Sequence, residues 1–187
     1  MLRQGLEAAP GIERLPEQVA LDVLPAGRPD LPIIGVDDET LLPAEVMARG
    51  PLLLAGPPGA GRTVALVTLA YALRRSNPDT ELIYIGARRS AVASLPIWNR
   101  SVVGAEDLAG IVEDLVEHSS GNPGALGIFI EGLTEFTDTS AESGVGRLVS
   151  ASIKADQWVI GESETSTWSS AWSLSQPFKS GRRGLLP

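Results

Sequence analysis

The chain has 187 residues, 43% of them hydrophobic, and a net charge of −8. That length suits one domain with a small extension, and the apolar fraction is enough for a core, so disorder of the whole chain is excluded. With no cysteine and a single histidine, disulfides and Cys- or His-rich metal sites are excluded, and the acidic balance argues against a surface that coats nucleic acid, which needs clustered Lys and Arg.

Residues 1–49 read as a lead-in linker. Pro16, Pro25, Pro29, Pro32 and Pro43 rule out a long helix there. Short strands are predicted near Ile33 to Val36 and near Glu45 to Met47, separated by the acidic turn Asp37-Asp38-Glu39. The N-terminus has no basic start followed by an apolar stretch, and no apolar run approaches a membrane span. The expectation is a cytoplasmic domain.

From Gly50 to Pro187 a βα alternation predicts the main domain, with residues 1–49 as its lead-in. Pro51 to Ala55 is a continuous apolar run, as in a strand buried on both faces. Thr63 to Arg75 is a predicted helix, with Val64, Val67, Leu69, Tyr71 and Leu73 as its apolar set and Arg74-Arg75 at its C-terminal end. A strand is expected at Glu81 to Gly86, a helix at Glu106 to His118, and a strand at Ala125 to Ile130. A third helix at Glu142 to Ala155 and a strand at Gln157 to Ile160 follow. The tail from Thr165 carries Ser, Trp and Gly and no assigned element. Strands alternating with helices predict an α/β domain with a mainly parallel sheet flanked by helices.

Between the first strand and helix lies Gly56-Pro57-Pro58-Gly59-Ala60-Gly61-Arg62-Thr63. This is a P-loop pattern, in which glycines let successive backbone N–H groups converge on phosphates and a Ser or Thr hydroxyl ligates magnesium. The helix that follows adds its partial positive charge. The pattern departs from the motif at Arg62, which stands where Lys reaches the terminal phosphates; a planar fork does not replace a compact ammonium there. Candidate nucleotide-binding residues are therefore Gly56, Pro57, Pro58, Gly59, Ala60, Gly61, Arg62, Thr63 and Val64.

The matching acidic strand end is Leu126 to Glu131, followed by Gly132. Thr63 and Glu131 are the candidate magnesium ligands. Gly132 stands where active members of this class place the Glu that orients water, and it has no side chain to act as a base. Nothing at the spacing of Glu135 argues that it substitutes. No catalytic residue is assigned.

Taken together, Arg14-Leu15-Pro16, the stretch from Leu31 to Asp38, the loop, and the tail Ser180-Gly181-Arg182-Arg183-Gly184-Leu185-Leu186 resemble an FtsK/SpoIIIE-type ATPase domain. The resemblance is greatest to the later, degenerate ATPase domains of the type VII secretion EccC/EssC family. It implies a RecA-like P-loop NTPase fold, with ATP and Mg2+ as cofactors. It also implies neighbouring ATPase domains on the same polypeptide, a membrane anchor in the parent protein and hexameric assembly. In such motors a late domain can receive secreted helical-hairpin proteins. Arg62, Glu131 and Gly132 depart from the catalytic pattern, so the expectation is nucleotide binding with little or no hydrolysis and a role in regulation, assembly or substrate recognition. An active DNA translocase domain and a peptide-binding module without nucleotide are the alternatives; the net charge and Gly132 speak against the first.

Other features have structural readings. Trp158, Trp168 and Trp172 are read as core packing against the sheet, with a docking surface as the alternative; Trp168 and Trp172 share a face if their segment is a helix. Arg182 and Arg183 read as solvated, with a trans-acting arginine pair as the alternative, and Arg88 and Arg89 as a polar surface. His118 is placed in the last turn of a helix without a catalytic role. Glu162 and Glu164 are placed just after the fourth strand, where a carboxylate repels phosphate.

Overall fold

The computed structural model describes Leu15 and residues 17–187; Arg14 and Pro16 of the lead-in motif lie outside the described residues. Strands β1 (Gly27–Arg28), β2 (Leu31–Val36) and β3 (Pro43–Glu45) form a small antiparallel sheet. The predicted strand at Glu45 to Met47 thus begins earlier, because β3 pairs with β2 through Val36 and Pro43. Beyond it, Val46 and Ala48 donate to the carbonyls of Pro32 and Asp30.

The main sheet has six strands, all parallel, in the order β6-β5-β7-β8-β4-β9. In chain order these are β4 (Gly50–Gly56), β5 (Glu81–Gly86), β6 (Arg100–Val103), β7 (Leu126–Glu131), β8 (Trp158–Glu164) and β9 (Gly184–Leu185). The connecting helices are α1 (Arg62–Ser76), α2 (Ala105–Gly121), α3 (Glu142–Lys154) and α4 (Trp172–Gly181). This is the RecA-like α/β arrangement expected from the sequence. Strand β8 lies between β4 and β7, so elements far apart in the chain become neighbours.

The period-2 alternation of the strands splits the core into two layers. Leu82, Tyr84, Phe129, Trp158 and Ile160 point toward α1 and pack with Leu66, Leu69 and Leu73. Ile83, Ile85, Ile128, Ile130 and Val159 point the other way, into a layer with Leu108, Leu115, Leu148 and Phe178. The exposed face of α1 differs from expectation: Val64 is 69% and Tyr71 38% exposed, while Leu66, Ala70 and Ala72 are buried. The lead-in sheet packs on α1, and the Arg75 guanidinium donates to the carbonyls of Leu21 and Leu24.

The tail contains structure that its composition concealed. α4 carries Pro177 in its interior, and its Leu174 and Phe178 are buried. Trp158 and Trp168 are buried as well, Trp158 edge-on to Phe129 at 6.0 Å and Trp168 edge-on to Phe178 at 5.9 Å. Both therefore serve the core and neither forms a docking surface. Trp168 precedes α4, so it does not share a helix with Trp172, whose side chain lies outside the described part of the structure. β9 adds to β4, and half-buried Arg183 donates to the carbonyls of Met47 and Arg49. The Gly-Arg-Arg-Gly-Leu-Leu tail thus stitches the chain's end to the start of β4. Only Arg182 of the pair is exposed.

Gly161 marks a tight contact between sheet and helix. A Cβ there would lie 2.7 Å from the Phe178 ring and 2.9 Å from Leu133. Gly161→Ala is expected to destabilise the protein by about 1–3 kcal/mol through overpacking, read as a lowered denaturant midpoint with an unchanged slope. An unchanged midpoint would show that α4 is not packed tightly on β8.

Candidate functional site

The loop leaves β4 at Gly56 and enters α1 at Arg62. Gly59 and Gly61 have φ of +80° and +86°, a region that L side chains rarely adopt. Gly61 caps α1 with no side-chain hydrogen bond, and the first amides of a helix have no intrahelical acceptor. Gly56 is needed for space: a Cβ there would lie 3.1 Å from Ala60 Cβ and 3.3 Å from Arg62 Cγ. The Val64 side chain points outward, so only its backbone N–H can serve an anion.

The parallel register brings the strand ends to the same level. Leu54 pairs with Glu162, Ile130 with Gly161, and Gly86 with Glu131. Glu162 and Glu164 belong to β8 and do not follow it, because the strand runs four residues beyond Ile160. By alternation Glu162 shares the face of Trp158 and Ile160, which is the α1 side. There it meets Arg62: Nε lies 2.6 Å from Glu162 Oε1, and Nη1 donates to the Gly56 carbonyl at 2.6 Å. The second Glu162 oxygen accepts the Gly132 N–H at 2.9 Å.

Glu162 is 4% exposed. Burial raises its pKa above the ordinary 4.5. The Gly132 N–H and Arg62 pull the other way, and repulsion from Glu131 and Glu135 adds to the rise. Its neighbours are also held. Thr63 Oγ1 donates to Glu131 Oε1 at 3.3 Å, and the Tyr84 hydroxyl donates to the other Glu131 oxygen. Burial, then the bond to Glu131, drives the Tyr84 pKa far up, so its hydroxyl stays a donor. Arg88 pairs with Glu135. A cavity of about 200 Å³ opens here, lined by Arg62, Arg88 and Arg89 on one side of the charge balance and Glu131, Glu135 and Glu162 on the other.

The structure brings Thr63, at the loop's end, against Glu131, and both line the cavity. The glycine loop, the uncapped helix start and the Thr63–Glu131 pair suit a diphosphate with a hard divalent cation, which takes oxygen ligands and retains water. Arg62 is different: its guanidinium is already committed. Sequence reasoning noted the carboxylate at 162 but missed its pairing with Arg62, and missed Tyr84 altogether. Alternation along β5 and β7 was the available signal, since Tyr84 and Glu131 fall on the same face as Phe129. His118, in the last turn of α2, pairs with Glu81 at 2.7 Å and is remote from the cavity's lining.

A glycine loop between a parallel strand and a helix, beside an acidic strand end, is an arrangement that suits the RecA-like α/β fold. Solved structures with this fold include the cytoplasmic domain of the Thermomonospora curvata type VII secretion ATPase EccC, with a TM-score of 0.72 and 15% identity over 95% of this chain. The cytoplasmic domain of EssC superposes with a TM-score of 0.73 and 14% identity over 94% of this chain. The chain spans 24% of the first and 40% of the second. No protein-family model and no curated protein matches the sequence. Among the described residues no helix is long and apolar enough to cross a membrane.

The raised pKa of Glu162 fixes the sign of a pH effect. The folded chain holds this proton more tightly than the unfolded chain does, so the stability it contributes is present at low pH and lost as pH rises through the folded pKa. Glu162→Gln removes that loss. As pH rises above the ordinary carboxylate range of about 4, the wild-type melting temperature is expected to fall relative to that of the variant. A constant gap, or one moving the other way, would contradict the assignment.

Proposed function

We propose that this chain is a degenerate FtsK/SpoIIIE-type ATPase domain of a type VII secretion motor, holding a nucleotide on its phosphate loop with little or no hydrolysis. The observation that supports this most is the state of the carboxylates around the cavity. Glu131 is held by Thr63 and Tyr84, Glu135 by Arg88, and Glu162 by Arg62 and the Gly132 amide. Each carboxylate is thus already engaged by a neighbour, and Gly132, where a general base would stand, offers no side chain. Loss of a positioned general base typically costs on the order of 10²–10⁴ in rate.

In this reading the amides of Gly59 to Val64 cradle the phosphates, with Gly56, Pro57 and Pro58 shaping the loop's entry. Thr63 and Glu131 hold magnesium, which neutralises phosphate charge. Residues 50–187 are the ATPase-like domain and residues 1–49 its lead-in. The domain would sit on the cytoplasmic side of a membrane-anchored parent, beside further ATPase domains and within a hexamer. Its task there would be regulation, assembly or recognition of secreted helical-hairpin proteins. The likeness of fold to the EccC and EssC cytoplasmic domains supports the setting, and the altered loop side chains support the loss of turnover.

Calorimetry with adenine nucleotide and magnesium is expected to give saturable binding below about 1 mM, a free energy of about −4 kcal/mol or better. Thr63→Ala should weaken the magnesium-dependent part of that affinity about tenfold, in keeping with a lost ligand. Steady-state hydrolysis should stay at least about 10²-fold below the usual ~10 s⁻¹ of an enzyme, with or without DNA. Absence of binding would remove the nucleotide reading and leave a docking module; robust DNA-stimulated turnover would restore a translocase.

A further inference from the structure

We propose that Glu162 stands in the place of a terminal phosphate, so that this loop accepts a nucleoside diphosphate in preference to a triphosphate. The proposal rests on the reading of the loop as a nucleotide site and adds which nucleotide it selects.

A P-loop divides its labour. Backbone N–H groups cradle the α- and β-phosphates, while the side chain at the Lys position reaches the β- and γ-phosphates. Here the two halves are in different states. The backbone half is intact, with Gly59 and Gly61 at positive φ and no side-chain cap on α1. The side-chain half is occupied from within: Arg62 spends Nε on Glu162 Oε1 at 2.6 Å and Nη1 on the Gly56 carbonyl at 2.6 Å.

Glu162 is a carboxyl group fixed in place. It is buried on a central strand, and its second oxygen is held at 2.9 Å by the Gly132 amide. Turning it aside would strand that N–H and uncover a buried charge. Gly132 has φ of +69°, which aims its amide at Glu162, so the residue that cannot serve as a base serves as the carboxylate's anchor.

The electrostatic consequence falls most heavily on the third phosphate. The cavity's three arginines face three glutamates, and Arg88 is already paired with Glu135. With Arg62 already spent on Glu162 and the Gly56 carbonyl, a γ-phosphate would approach the Arg62–Glu162 pair as one more anion. A diphosphate brings one anion fewer to that pair and draws mainly on the loop amides and the cation site at Thr63 and Glu131. Like charges a few ångströms apart in a partly dry site interact strongly enough to set a preference of at least about tenfold.

The test is calorimetry of the folded chain with ADP and with ATP, each in excess magnesium, for wild type, Glu162→Gln and Glu162→Asp. Gln is nearly isosteric and its amide oxygen still accepts the Gly132 N–H. Wild type is expected to bind ADP at least about tenfold more tightly than ATP. In Glu162→Gln the ATP affinity should rise to within about threefold of that for ADP, with ADP little changed. Glu162→Asp keeps the charge and should keep the preference. Equal affinities in wild type, or a preference that Glu162→Gln leaves intact, would overturn the inference while the nucleotide reading stands. Failure of both nucleotides to bind any of the three proteins would overturn both. Should Glu162→Gln not fold, the wild-type ratio alone decides.

Discussion

Insertion of β8 between β4 and β7 is the constraint from which the candidate site follows. Seven consecutive residue pairs lock β8 to β4, from Gly50 with Trp158 to Gly56 with Glu164. Four more lock it to β7. Parallel strands in register end together, and their C-terminal ends form the crevice where open α/β sheets carry ligands. The glycine loop, Glu131 and Glu162 meet there because each lies at or near the C-terminal end of one of three adjacent strands. Alternation then decides which side chains look toward α1. A one-residue slip of β8 would turn Glu162 away from Arg62 and put Gly161 or Ser163 on that side.

Within that frame the carboxylates at the cavity differ in what they can do. Glu131 is reached by Thr63 and Tyr84 and faces the loop's mouth, so it suits a cation. Glu162 is deeper, held at both oxygens, and acts on Arg62 as an internal counter-anion. The same pairing accounts for two departures from the P-loop pattern at once. A forked guanidinium can contact both a carboxylate and the Gly56 carbonyl, which a point-charge ammonium does less well. A glycine at 132 can adopt the left-handed φ that presents its amide to Glu162. Arg62, Gly132 and Glu162 form one connected unit, and three separate losses need not be invoked.

Much of the fold was legible in the sequence because its parallel strands are continuous apolar runs bounded by Gly, Asn and Pro. Glu81 to Gly86 emerged with the bounds expected, and α1, α2, α3 and β7 to within three residues at either end. What stayed hidden has physical reasons. β6 is a four-residue edge strand beginning Arg100-Ser101, too short and polar to announce itself. α4 contains Pro177 and many serines, and forms because Leu174 and Phe178 bury against β8 and α3. β9 is two residues long and exists only by pairing with β4. At the site, the loop and Glu131 follow from local spacing. The Arg62–Glu162 pair spans a hundred residues and depends on strand order, which no local pattern encodes.

A crystal structure of this chain with a nucleotide and magnesium addresses the central claim most directly. The account predicts a diphosphate seated on the amides of Gly59 to Val64, with the cation near Thr63 and Glu131. Arg62 would still lie against Glu162 within hydrogen-bonding distance. A triphosphate bound with Arg62 swung onto its terminal phosphate, and Glu162 released from both Arg62 and the Gly132 amide, would contradict it.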